Sequence, residues 1–98
     1  MKDPTAPISE RDWQKRVTKW AKDLGWTVQT TYFSPYSSRG ILDLSMCRPP
    51  RFILAELKTD RGKLRPEQRE WIDLVGKCGI EVFVWKPSDE KQVLEILK

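Results

Sequence analysis

The stretch Phe52–Lys58, FILAELK, decides the fold and where chemistry can sit on it. Its first four residues are apolar, the pattern of a strand buried inside a sheet. Glu56 and Lys58 then follow in line with that run. Charged side chains of these types are almost never fully buried unless they are paired. Partners for them must come from neighbouring strands.

The preceding residues supply one. RPPR (Arg48–Arg51) turns the chain, and ILDLSMC (Ile41–Cys47) reads as a strand interrupted by Asp43. Strands this close in sequence form an antiparallel hairpin. If it folds symmetrically about Pro49–Pro50, Arg48 faces Arg51 and paired residue numbers sum to 99. Asp43 and Glu56 also sum to 99, which places them opposite each other with Cβ atoms roughly 5 Å apart. Strand alternation adds Lys58 to the same face. The turn decides whether this register holds. Pro-Pro cannot adopt the tight primed turns, which need φ > 0. A longer loop would keep the register or slip it, and a one-residue slip would put the acids on opposite faces.

Outward from the hairpin, WTVQTTYF (Trp26–Phe33) is β-branched and aromatic, so it predicts a strand. SPYSSRG (Ser34–Gly40) and TDRGKLR (Thr59–Arg65) have loop chemistry. Pro66 suits the first position of a helix in which Gln68, Trp71, Ile72 and Val75 share one face. IEVFVW (Ile80–Trp85) predicts a fourth strand, and Asp89–Lys98 a short helix carrying Val93, Leu94 and Leu97. Near the start, Ser9 is a suitable N-cap, with Asp12 in the capping-box position. Trp13, Val17, Trp20, Ala21 and Leu24 then recur at helical spacing up to Gly25. Arg11, Lys15, Arg16, Lys19 and Lys22 lie on the opposite face and read as ordinary solvated surface. Glu10 heads the series Glu10, Gln14, Val17, Ala21, Leu24, so it either points inward or serves as a first-turn acid favoured by the helix dipole. The expected fold is α/β, a small mixed sheet flanked by helices in the order α-β-β-β-α-β-α. The Phe52–Trp85 strand–helix–strand segment should be parallel and right-handed. Residues 1–98 form one domain on this reading, with 1–7 a flexible arm.

Composition narrows the chemistry. The net charge is +4, which favours a polyanionic partner. No apolar run approaches the ~20 residues of a membrane span, and no secretory signal is visible, so a cytoplasmic protein is expected. Cys47 and Cys78 make no disulfide framework. Histidine is absent, which excludes His-based nucleophile systems and ordinary zinc sites. Catalysis must then use carboxylates, Lys, Arg, Tyr or a metal held by oxygen. Asp43 and Glu56 side by side would repel, and a hard divalent cation such as Mg²⁺ resolves that conflict. Lys58 beside the ion would orient or help deprotonate an attacking water.

At these residues the sequence resembles a known family. GILDL (Gly40–Leu44), FILAELK and GKLRPEQREW (Gly62–Trp71), in that order, resemble the VRR-NUC (virus-type replication–repair nuclease) branch of the PD-(D/E)XK nucleases. The similarity runs from ISERDWQKRV (Ile8–Val17) to GIEVFVWKPSD (Gly79–Asp89). It implies a restriction-endonuclease-like core and an Mg²⁺- or Mn²⁺-dependent endodeoxyribonuclease. Asp43 and Glu56 match the metal-binding acids, joined by the Leu57 backbone carbonyl. Lys58 matches the catalytic lysine, Gln68 the glutamine of the following helix, and Glu10 the acid near the start of the first helix. Leu42 stands where a Pro often precedes the first acid, and Arg65 where relatives often carry a Thr before Pro66. Small stand-alone members are homodimers that cut branched DNA, notably four-way (Holliday) junctions. DNA contacts are expected from Tyr36, Arg39, Arg61, Lys63 and Arg65. Two other classes remain open: a catalytically silent nucleic-acid-binding module with the same fold, and a basic interaction domain whose acids are surface pairs.

Overall fold

A computed structural model describes residues 7–31 and 42–98. The elements are α1 (Glu10–Asp23), β1 (Thr27–Thr30), β2 (Leu44–Arg48), β3 (Arg51–Leu57), α2 (Pro66–Lys77), β4 (Glu81–Trp85) and α3 (Glu90–Leu97), with a 3₁₀ turn at Pro87–Asp89. The order is the expected α-β-β-β-α-β-α. The sheet runs β1-β2-β3-β4, antiparallel except for the β3–β4 pair, which is parallel across α2. No described helix is long and apolar enough to cross a membrane.

The ends of the elements follow local chemistry. Ser9 caps α1, its hydroxyl accepting from the Asp12 N–H at 3.1 Å. Gly25 takes φ 92° just after the helix, a conformation that L side chains rarely adopt. Pro66 opens α2.

The hairpin keeps the symmetrical register. Leu44 pairs with Ala55, and each successive pair sums to the same value down to Arg48 with Arg51. The Pro49–Pro50 bond is cis, and none of the residues of this turn takes a positive φ. Asp43 departs from expectation in one respect. It lies one residue before β2, in a bend, rather than inside the strand. Its carbonyl still accepts from Thr31 N at 2.9 Å.

One face of the sheet presents Leu44, Met46, Ile53, Ala55, Leu57 and Trp85 to Trp13, Val17 and Ala21 of α1 and to Val93 and Leu97 of α3. The opposite face receives α2, where Gly76 lies close enough to β4 that an added Cβ would be 3.8 Å from Val82. Trp71 was expected among the inward residues of α2, but it is 48% exposed. Only Gln68 and Val75 of that helix are buried. They lie seven residues apart, two helical turns, and that seam is narrow because β4 is the last strand of the sheet.

The turn end of the hairpin is tied down by cations. Arg48 donates to the carbonyls of Leu24 (2.8 Å), Leu97 (3.0 Å) and Lys98 (2.8 Å). Arg51 donates to Ile96 O at 2.9 Å and to both oxygens of Glu81 at 2.7 and 3.1 Å. Both guanidiniums lie over the Trp26 ring, at 4.7 and 5.1 Å from its centroid. Trp26 Nε1 itself donates to Leu97 O at 2.8 Å. The C-terminal carbonyls of α3, which have no partner within the helix, are satisfied in this way.

Candidate active site

The chemistry-bearing residues gather at the other end of the same hairpin. In β3, Ile53, Ala55 and Leu57 point into the main core, so Glu56 points to the α2 side, with Lys58 on that side just past the strand. Both faces are covered here, and Glu56 is only 1% exposed. Its Oε2 takes two partners. Lys58 Nζ lies 3.2 Å away, and Gln68 Nε2 donates to the same oxygen. Gln68 Oε1 in turn accepts from Arg65 N at 3.1 Å, so its amide is held at both ends. Asp43 Oδ2 accepts from the Leu57 N–H at 2.8 Å, across the strand gap that the register predicts.

Glu56 Oε1 is buried and has no hydrogen-bond partner among the described residues. A buried carboxylate oxygen left bare is costly. Burial first, and then the adjoining Asp43 carboxyl, raise the Glu56 pKa to about 7, against the opposing pull of the Lys58 ammonium. One unpartnered oxygen beside a second carboxylate is the donor set a hard divalent cation takes. The residues therefore fit a metal held by Asp43 and Glu56.

The remaining predicted site residues are placed less closely. Glu10 is exposed in the first turn of α1. With Asp43 it lines a groove between α1 and β1. Among the described residues no group of three His, Cys, Asp or Glu gathers as a metal cluster, so Glu10 stands apart from the Asp43–Glu56 pair. The buried stripe of α1 is Trp13, Val17 and Ala21, with Trp13 edge-on to Trp20 at 5.8 Å; Glu10 continues the same face by spacing but is exposed, at the first residue of the helix. Arg61, Lys63 and Arg65 are exposed on the β3–α2 connection. That connection folds back on Lys58, since a Cβ at Gly62 would sit 3.3 Å from the Lys58 Cβ. It is anchored by Asp60 Oδ1 accepting from Ser88 N at 3.0 Å. Tyr36 and Arg39 lie outside the described residues.

Sequence reasoning passed over one set of residues. Arg11, Lys15, Lys19 and Lys22 read as ordinary solvated surface, yet they line the groove that includes Asp43. The available signal was their recurrence every three or four residues along α1.

Residues 26–89, more than half of the chain, match the model of the VRR-NUC domain. The chain belongs to the VRR-NUC family. That span takes in Asp43, Glu56, Lys58 and Gln68 but begins after α1, so Glu10 falls outside it. A solved VRR-NUC domain is 27% identical and superposes with a TM-score of 0.73, covering 90% of this chain and 92% of that one. Hjc, a Holliday junction resolvase from the archaeal hyperthermophile Archaeoglobus fulgidus, shares the fold at 18% identity and a TM-score of 0.51. That match covers 80% of this chain and 65% of Hjc. None of the curated proteins matches the chain. Membership of the VRR-NUC family makes this a nuclease fold, of a superfamily that generally uses divalent metals.

Proposed function

We propose that this VRR-NUC chain is an Mg²⁺- or Mn²⁺-dependent endodeoxyribonuclease that hydrolyses phosphodiester bonds in branched DNA, four-way junctions above all, and acts as a homodimer. The observation that carries the reading is the buried, unpartnered Glu56 Oε1 beside Asp43, with Lys58 on the other Glu56 oxygen. Asp43, Glu56 and the Leu57 carbonyl would hold the ion. When bound, the ion supplies a Lewis acid that polarises the phosphate and lowers the pKa of water.

The chain's own groups do the rest. Lys58 Nζ, 15% exposed and fixed against Glu56, offers its remaining N–H donors to a phosphate oxygen or to the incoming water. Gln68 holds the Glu56 carboxylate in one orientation, which would leave Oε1 free to help hold the ion. Arg61, Lys63 and Arg65, on the connection folded against Lys58, supply cations for the DNA backbone. The fold shared with a Holliday junction resolvase supports the choice of branched DNA. A two-fold dimer would set two such sites symmetrically about a junction.

The test is cleavage of labelled junction, flap and duplex DNA with Mg²⁺ or Mn²⁺. The wild type should cut the junction fastest. Glu56→Ala and Lys58→Ala should each slow cutting by about 10³-fold, of the order seen when a group acting in the transition state is removed. Binding without cleavage by the wild type would instead make the chain a silent binding module. Cleavage untouched by both substitutions would put the site elsewhere.

A further inference from the structure

The row of cations along α1 has no use in the site as described above. Arg11, Lys15, Lys19 and Lys22 line a groove between α1 and the edge strand β1, and Asp43 lines the same groove. Lys19 is engaged with Asp23 at 2.8 Å. Arg11, Lys15 and Lys22 make no ion pair among the described residues. Net positive charge in a concave surface attracts polyanions more strongly than the same charges scattered on a convex one.

The dimensions fit one class of ligand. From Arg11 to Lys22 the helix rises about 16 Å, at about 1.5 Å per residue. One strand of B-DNA offers a phosphate roughly every 3.4 Å along its axis, so this row spans about four or five of them. A small anion would need a single converging cluster, whereas cations strung along a helix suit a backbone that runs beside it. The row shares its groove with Asp43, one of the two acids proposed to hold the metal.

We propose that α1 is a backbone track: Lys15, Lys22 and Arg11 grip the phosphates of a DNA duplex arm next to the scissile bond. The β3–α2 connection, with Arg61, Lys63 and Arg65, supplies a separate set of cations at Lys58. Substrate would be held from two elements that are far apart in sequence, with the acids between them in the chain. The inference rests on the nuclease reading for its choice of DNA, yet it can fail separately from it.

The experiment measures binding of a labelled four-way junction and a labelled duplex by fluorescence anisotropy in EDTA, from 50 to 200 mM NaCl. Lys15→Ala/Lys22→Ala is compared with wild type and with Lys77→Ala/Lys91→Ala, which removes the same charge from α2 and α3. The α1 pair should weaken binding about tenfold and flatten the salt slope by about two phosphates, while the control pair leaves both near wild type. Lys15→Arg/Lys22→Arg should restore both. Equal affinity and slope for wild type and the α1 pair would overturn the track, as would an equal loss in the control pair. Preferential binding of duplex RNA over DNA through the same lysines would overturn the choice of ligand. DNA binding that depends on α1 with no metal-dependent cleavage would leave the track standing and sink the nuclease.

Discussion

The two ends of the β2–β3 hairpin are built on opposite principles. At the turn end, Arg48 and Arg51 together make six hydrogen bonds and share the Trp26 ring. At the acid end, Glu56 is as buried as any core leucine, and one of its oxygens has no partner among the described residues. One end is saturated and holds the molecule together. The other is left incomplete, in the way a ligand site is. The two also respond to pH in opposite senses. The hydrogen bond from Arg51 holds Glu81 below its ordinary pKa, so that pair adds stability above about pH 4.5 and loses it as the pH falls. Glu56 is shifted up, so the metal-free acid end is most stable below about pH 4.5 and weakens as the pH rises through about 7.

The largest expected effect on stability lies at the saturated end. Trp26→Ala removes a buried ring, the surface under two guanidiniums and the Nε1 bond to Leu97, so unfolding in urea should show a loss of about 3–5 kcal/mol. Cleavage per folded molecule should be unchanged. A fall in that rate would show that the two ends are not independent.

Next comes Glu56→Gln at the incomplete end. It should stabilise the metal-free protein at pH 8 by about 1–3 kcal/mol, because burial and the adjoining Asp43 carboxyl hold the Glu56 pKa up at about 7 and so penalise its ionised form. It should leave stability at pH 4 nearly unchanged and abolish the stabilisation that Mg²⁺ gives the wild type. Thermal melts at the two pH values, with and without the ion, check both points. A variant that melts lower at pH 8 would contradict the incomplete-site reading.

The smallest effect is expected from Gln68→Ala. Losing the amide that holds Glu56 should cost about 10- to 100-fold in metal affinity and cleavage, with little change in melting temperature. Calorimetric titration of Mn²⁺ would separate this positioning role from packing, which would move stability instead.

The acid pair was legible because strand pairing is arithmetic. Once Arg48 faces Arg51, Asp43 must come level with Glu56, and both the ladder and the Asp43–Leu57 bond agree. Gln68 was legible from its place two turns from Val75 on the one buried seam of α2. Other features were not. Asp43 stops short of the strand, and nothing in ILDLS marks where the ladder ends. Trp71 is apolar and correctly spaced, but helical periodicity does not say how narrow the neighbouring sheet edge is. The two arginines of RPPR read as turn residues, and their partners in α3 lie more than 40 residues away. The groove along α1 exists only once β1 and Asp43 are set beside the helix.

One carbonyl ties α1 to the end of the strand that carries Lys58. Trp85 O accepts from the backbone N–H of Lys58 at 3.1 Å and from the indole N–H of Trp13 at 3.0 Å. A carbonyl has two lone pairs, and here one steadies the strand end that carries the lysine and the other steadies α1. Anything lodged along the α1 cations would therefore be linked to the Lys58 backbone through this shared oxygen as well as through the core. Grip and cut would be coupled at that point as a handle is to its blade.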